Sequence, residues 1–113
     1  MASSRVRRGR ETERAVADYL ATHGWPCAKR RPASLPGSDV ENVPGLAIEV
    51  KARRALDLPA WIRQAKTQPG LPIVIHRPDG FGLTTVGDWP ATLPFSQLVR
   101  LLREAGYGDP YCE

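Results

Sequence analysis

Glu49 and Lys51 stand two residues apart in Leu46-Ala47-Ile48-Glu49-Val50-Lys51-Ala52-Arg53. Side chains along a strand alternate between its two faces. Leu46, Ile48 and Val50 therefore share one face, and Ala47, Glu49, Lys51 and Arg53 share the other. A carboxylate and an ammonium are thus fixed side by side on a segment that otherwise reads as core. Upstream sits a second acid, Asp39, in Gly37-Ser38-Asp39-Val40. Two carboxylates suit a hard divalent cation, and a neighbouring lysine suits orienting and activating a water. The chemistry such a set would perform is metal-assisted hydrolysis of a phosphodiester. Glu-x-Lys is also common on solvated strand edges. The apolar alternation around it, and an acid facing it across an expected hairpin, favour the chemical reading.

Glu13 adds an independent line. It shares a helical stripe with Val16, Ala17 and Leu20, at spacings i, i+3, i+4 and i+7, so it points at the sheet. Glu11 lies about 200° away around the helix and belongs in solvent. The plainer reading of Glu13 is a capping or salt-bridge residue.

These groups need elements to position them. Residues 10–23 read as a helix, stopped by Gly24. Residues 25–31 read as a short strand, and 32–37 as a loop by their breakers. Residues 38–42 form a second short strand, and Pro44-Gly45 turns the chain into the Glu49 strand as a hairpin. A helix over 58–67 takes Leu58, Trp61, Ile62 and Ala65 as its stripe, with Pro59 in its first turn. Strands follow at 71–76 and 81–86. The last helix spans 94–105, with Phe95, Leu98, Val99 and Leu102 as its stripe and Gly106 as its stop. The resulting order is α-β-β-β-α-β-β-α, an α/β (α+β) fold with a central mixed sheet flanked by helices. Residues 1–8 read as a basic arm and 107–113 as an irregular tail.

At 113 residues the chain is one domain with a modest core. No apolar run approaches a membrane span, and no signal peptide is visible, so a cytoplasmic protein is expected. The net charge of +4 favours a polyanionic partner. Its distribution says more: Arg5, Arg7, Arg8 and Arg10 crowd the first segment, Lys29, Arg30 and Arg31 form a second cluster, and Lys51, Arg53 and Arg54 a third. Each cluster alone is also what a solvated face looks like. Cys27 and Cys112 form no CxxC pair, and with two histidines zinc ligation is not expected. Both read as reduced thiols. Trp61 reads as core, His76 and His23 as structural, and Asp57 and Asp79 as capping or turn residues.

Taken together, the chain resembles the PD-(D/E)xK nucleases of restriction-endonuclease-like fold, and within them the archaeal-type Holliday-junction resolvases. Gly9-Arg10-Glu11-Thr12-Glu13-Arg14 matches their first-helix motif, Ala33-Ser34 their loop element, Asp39 the acidic motif and Glu49-Val50-Lys51 the Glu-x-Lys motif. Ser38 stands where that family has proline, and Leu35-Pro36-Gly37 replaces its glycine-rich loop. The resemblance implies that Asp39 and Glu49 bind one or two Mg²⁺ ions (or Mn²⁺), with the Val50 carbonyl as a further ligand. It implies that Glu13 binds metal directly, through water, or orients the nucleophile, and that Lys51 steadies the hydroxide. Gln64 occupies a helix position that in this fold often faces the site, although an ordinary border residue fits as well. Ser34 either contacts the scissile phosphate or merely fills its loop.

The expected partner is DNA, bound by Arg7, Arg8, Arg10, Arg30, Arg31, Arg53 and Arg54. The expected form is a homodimer with no organic cofactor. The expected activity is endonucleolytic cleavage to 5′-phosphate and 3′-hydroxyl ends. Other nuclease activities on nicks, flaps, ends or phage DNA, and a non-catalytic DNA-binding module, stay open.

Overall fold

The computed structural model describes residues 3–109. Helix α1 spans Ser4–Ala21 and is opened by Ser3, whose side chain accepts from the Val6 N–H. Two short strands follow, β1 (Lys29–Arg30) and β2 (Val40–Glu41), and then β3 (Leu46–Lys51). Helix α2 (Leu58–Ala65) leads to β4 (Leu71–His76), a 3₁₀ segment over Leu83–Asp88, β5 (Ala91–Thr92) and helix α3 (Phe95–Glu104).

Strand β3 pairs in parallel with β4, with Glu49 opposite Val74 and Val50 opposite Ile75. Parallel neighbours need a crossover, and α2 supplies it. Its first turn is capped by the Asp57 carboxylate, and Pro59 sits where no N–H is needed. Strand β5 pairs antiparallel with β4, and β1 with β2. Val16 and Ala17 of α1 pack with Val40, Val43, Ile48, Val50 and Trp89. On the other face, Trp61 and Ala65 of α2 pack with Val74. The alternation of β3 is realised: Ile48 and Val50 enter the α1-side core, and Lys51 reaches α2.

Several sequence expectations need correction. The helix expected over 10–23 begins at Ser4, so most of the basic arm is helix. The early strands shrink to two residues each, and Trp25 and Pro26 lie outside β1. The expected single sheet is a two-stranded and a three-stranded sheet. The hairpin of β2 on β3 is reduced to the Asp39 N–H bonded to the Ile48 carbonyl at 2.9 Å. The strand expected at 81–86 is mostly 3₁₀ helix, and the last strand comes later, at β5. Thr85 Oγ1 donates to the Gly82 carbonyl at 3.0 Å, a local bond that competes with a ladder. Helix α3 buries none of its residues, so it covers no sheet face. The tail expected over 107–113 is described only to Asp109.

Among the described residues no helix is long and apolar enough to cross a membrane. Cys27 is an exposed free thiol, and Cys112 lies outside the described residues.

Candidate active site

Asp39 is held by its own backbone. Its N–H donates to Ile48 of β3, and its carbonyl accepts from the Arg31 N–H at 2.9 Å. It therefore joins the two sheets. Its side chain is fixed too, because Oδ2 accepts from the Val50 N–H at 2.7 Å. The strand that carries Glu49 thus orients the second acid.

Glu49 is buried, at 3 % relative exposure. Its pKa is pushed up to about 7, first by burial, then by the Asp39 charge and a hydrogen bond with Asp39; Lys51 opposes the rise and Glu13 adds to it. Two carboxylates at close quarters resist joint ionisation. Lys51 Nζ donates to Gln64 Oε1 at 2.6 Å, which ties the ammonium to α2. Glu13 Oε2 accepts from Arg30 Nε at 2.9 Å. Burial and the Asp39 charge raise the Glu13 pKa, and Arg30 pulls it back down.

Glu13, Asp39, Glu49, Val50, Lys51 and Gln64 line one open cleft of about 330 Å³, together with Arg5, Arg10, Arg30 and Arg53. The site comes from α1, the segment before β2, β3 and α2. A larger concavity, about 600 Å³, lies between α1 and the 3₁₀ segment and holds neither the acids nor the lysine.

Among the described residues no three His, Cys, Asp or Glu side chains form a ready-made metal cage. The carboxylates that meet are Asp39 and Glu49, while Glu13 is engaged by Arg30. Two hard carboxylates beside a strand backbone fit Mg²⁺, which keeps several waters and needs only one or two protein carboxylates.

The remaining expected residues divide. Ser34 sits on an exposed turn, and its neighbour Ala33, not Ser34, lines the cleft. Arg10, Arg30 and Arg53 line the cleft. Arg7 is exposed and lies away from it. Arg8 turns toward the Pro78 carbonyl, 3.5 Å away. Arg31 is structural, with Nε on the Ser38 carbonyl at 2.8 Å and Nη1 3.3 Å from Glu41. Arg54 pairs with Asp79 at 2.8 Å. Arg5 lines the cleft but was missing from the expected contact set. Its signal was available: Arg5, Gly9 and Glu13 are spaced by four, which is one helix face. Arg77 was also missed. Buried, it donates to the Phe81 carbonyl at 2.8 Å and to Thr12 Oγ1 at 3.1 Å, fastening α1 to the end of β4.

No family model, no curated protein and no solved structure matches the chain.

Proposed function

We propose that the chain is a metal-dependent DNA endonuclease of the PD-(D/E)xK kind, acting on branched DNA such as a four-way junction. It would leave 5′-phosphate and 3′-hydroxyl ends. The observation that carries this reading is the meeting of Asp39, Glu49, Lys51 and Gln64 in one cleft rimmed by arginines.

Asp39, Glu49 and the Val50 carbonyl are the oxygen donors that would hold Mg²⁺, or Mn²⁺ in its place. Such an ion, when bound, polarises a phosphoryl oxygen and acidifies a water. The chain's own residues do the rest. Gln64 restricts the Lys51 ammonium to one position. From there Lys51 faces the attacked phosphate and offsets the negative charge that grows on it. Glu13, steadied by Arg30, accepts a hydrogen bond from the attacking water. Arg5, Arg10 and Arg53 hold the flanking phosphates as point charges and forked donors.

The test is cleavage of a labelled four-way junction beside its linear duplex, with Mg²⁺ and with EDTA, by wild type and Asp39→Asn. Paired symmetric nicks on the junction, lost in EDTA and in the variant, are the expected result. Metal-dependent cutting of every substrate would keep the nuclease and remove the junction preference. Junction binding without cutting would replace the enzyme with a DNA-binding module.

A further inference from the structure

The segment that joins β3 to α2 walls a second hollow beside the cleft, of about 550 Å³. Arg5, Arg53, Leu56, Asp57 and Trp61 line it. Arg5 and Arg53 also line the cleft that holds the acids. The two hollows therefore share a wall, and a strand bound in one can run into the other. Arg53 follows Lys51 by two residues, a reach of at most ~7 Å, which is about one nucleotide of an extended strand. Both shared arginines are exposed, and among the described residues no ion pair engages either.

The shared wall is fixed from behind. His76 Nε2 donates to the Arg53 carbonyl at 2.9 Å, and the His76 ring lies against Trp61 with centroids 5.4 Å apart. The Lys51 carbonyl accepts from the Arg77 N–H at 2.8 Å. A hollow already formed in the free protein costs its ligand little ordering.

The lining selects what can enter. Leu56 is 62 % exposed, and Trp61 reaches the hollow while otherwise buried, so part of the wall is apolar. Two arginines suit a phosphate, but the Asp57 carboxylate would repel one. A base fits both halves of the lining, because it has apolar faces and an amino N–H that a carboxylate accepts. Asp57 Oδ1 caps α2 at 3.4 Å from the Ala60 N–H, and Oδ2 can accept as well. Arg54 lines the hollow too, but Asp79 holds its guanidinium at 2.8 Å. Arg5 and Arg53 are thus the cations left for the sugar-phosphate chain.

We propose that this hollow takes the base of one unpaired nucleotide next to the attacked phosphate, with Arg5 and Arg53 on the strand that joins hollow to cleft. A base held in a duplex stack cannot enter. The proposal rests on the DNA-binding part of the nuclease reading and narrows its substrate to branches with an unpaired residue beside the cut.

The test is fluorescence anisotropy in EDTA with two four-way junctions. One carries a single unpaired cytosine at the branch point, and the other an abasic residue at the same place. Wild type is expected to bind the first about tenfold more tightly, as for one base held against side chains. Leu56→Glu and the uncharged Leu56→Gln should both erase that ratio, with unchanged circular dichroism and undiminished affinity for the abasic junction. Equal affinities in wild type would overturn the proposal, and so would a ratio that survives both variants. Cleavage of the same two junctions in Mg²⁺ separates this proposal from the enzymatic one. Cutting of both alike by wild type, with equal affinities, removes the base pocket and keeps the nuclease. A preserved binding ratio without cutting removes the nuclease and keeps the pocket.

Discussion

Glu49 makes the cleft sensitive to pH in a definite direction. Its folded pKa of about 7 lies above the ordinary carboxylate value of 4.5. A group raised in this way contributes stability that is complete below pH 4.5 and is lost as pH rises through 7. Glu13 is shifted in the same direction. Metal-free protein is therefore expected to lose on the order of 3 kcal/mol between pH 4.5 and 8, read by urea unfolding. Glu49→Gln should flatten that slope and make the protein more stable than wild type at pH 8. If Asp39 and Glu49 hold Mg²⁺ as proposed, adding it to wild type at pH 8 should restore stability, since a bound cation favours the ionised pair. A wild-type stability that climbs steadily from pH 4.5 to 8 without metal would contradict the arrangement of these acids.

Lys51→Met is expected to lower the cleavage rate at least 100-fold while junction binding in EDTA changes little. Gln64→Ala should cost less, about tenfold, because the ammonium survives but loses its tether. Single-turnover cleavage separates the two. The sequence made Glu49 and Lys51 legible because strand alternation is a strict rule, and Gln64 was legible as a helix-face neighbour of Trp61. Ser34 was not placed, because a loop built on Pro32, Pro36 and Gly37 has no periodicity from which to read direction.

At the level of elements, the start of the parallel pair depends on a close approach of two turns. Gly70 has φ of +111°, and a β-carbon there would sit 2.7 Å from the Gly45 carbonyl oxygen. The neighbouring Leu71 N–H donates to that same oxygen at 2.8 Å. Gly70→Ala is expected to cost about 1–3 kcal/mol, by backbone strain and by pushing β4 out of register with β3. Gly24 has φ of +118° but open space around it, so Gly24→Ala should cost only about 1 kcal/mol. Denaturant midpoints of the two variants measure the difference. Equal losses would mean that the contact with Gly45 contributes nothing.

The elements that sequence located well were those with long, consistent patterns. β4 runs over Leu71–His76 as expected, and α2 and α3 differ from expectation only at their ends. The 81–86 segment failed for a physical reason. Its threonines and valine favour a strand, but strand pairing needs a partner edge, and the β4 edge is taken by Ala91 and Thr92. The early start of α1 was hidden because arginines at positions 5, 7 and 8 carry no apolar periodicity, although arginine is a good helix former.

On the scale of the whole molecule, DNA bound as proposed would lie against the arginines of the cleft. Arg10 and Arg53 line the cleft, whereas Arg7 lies off it and Arg54 is paired with Asp79. Each lost phosphate contact should reduce the slope of log affinity against log salt by about 1. Junction binding in EDTA across a salt series should therefore show shallower slopes for Arg10→Gln and Arg53→Gln, and wild-type slopes for Arg7→Gln and Arg54→Gln. Equal slopes in all four would move the interface away from this cleft.

The parallel pairing of β3 with β4 also has a consequence for the order of events in time. A chain emerging from the ribosome completes Asp39, Glu49 and Lys51 well before it completes β4. Until His76 has been added, β3 lacks its full ladder, and until α2 has formed, Lys51 lacks its anchor on Gln64. The acids are made early and assembled late, so a nascent chain halted between Lys51 and Leu58 carries the cleft's acids and lysine without the scaffold that aligns them.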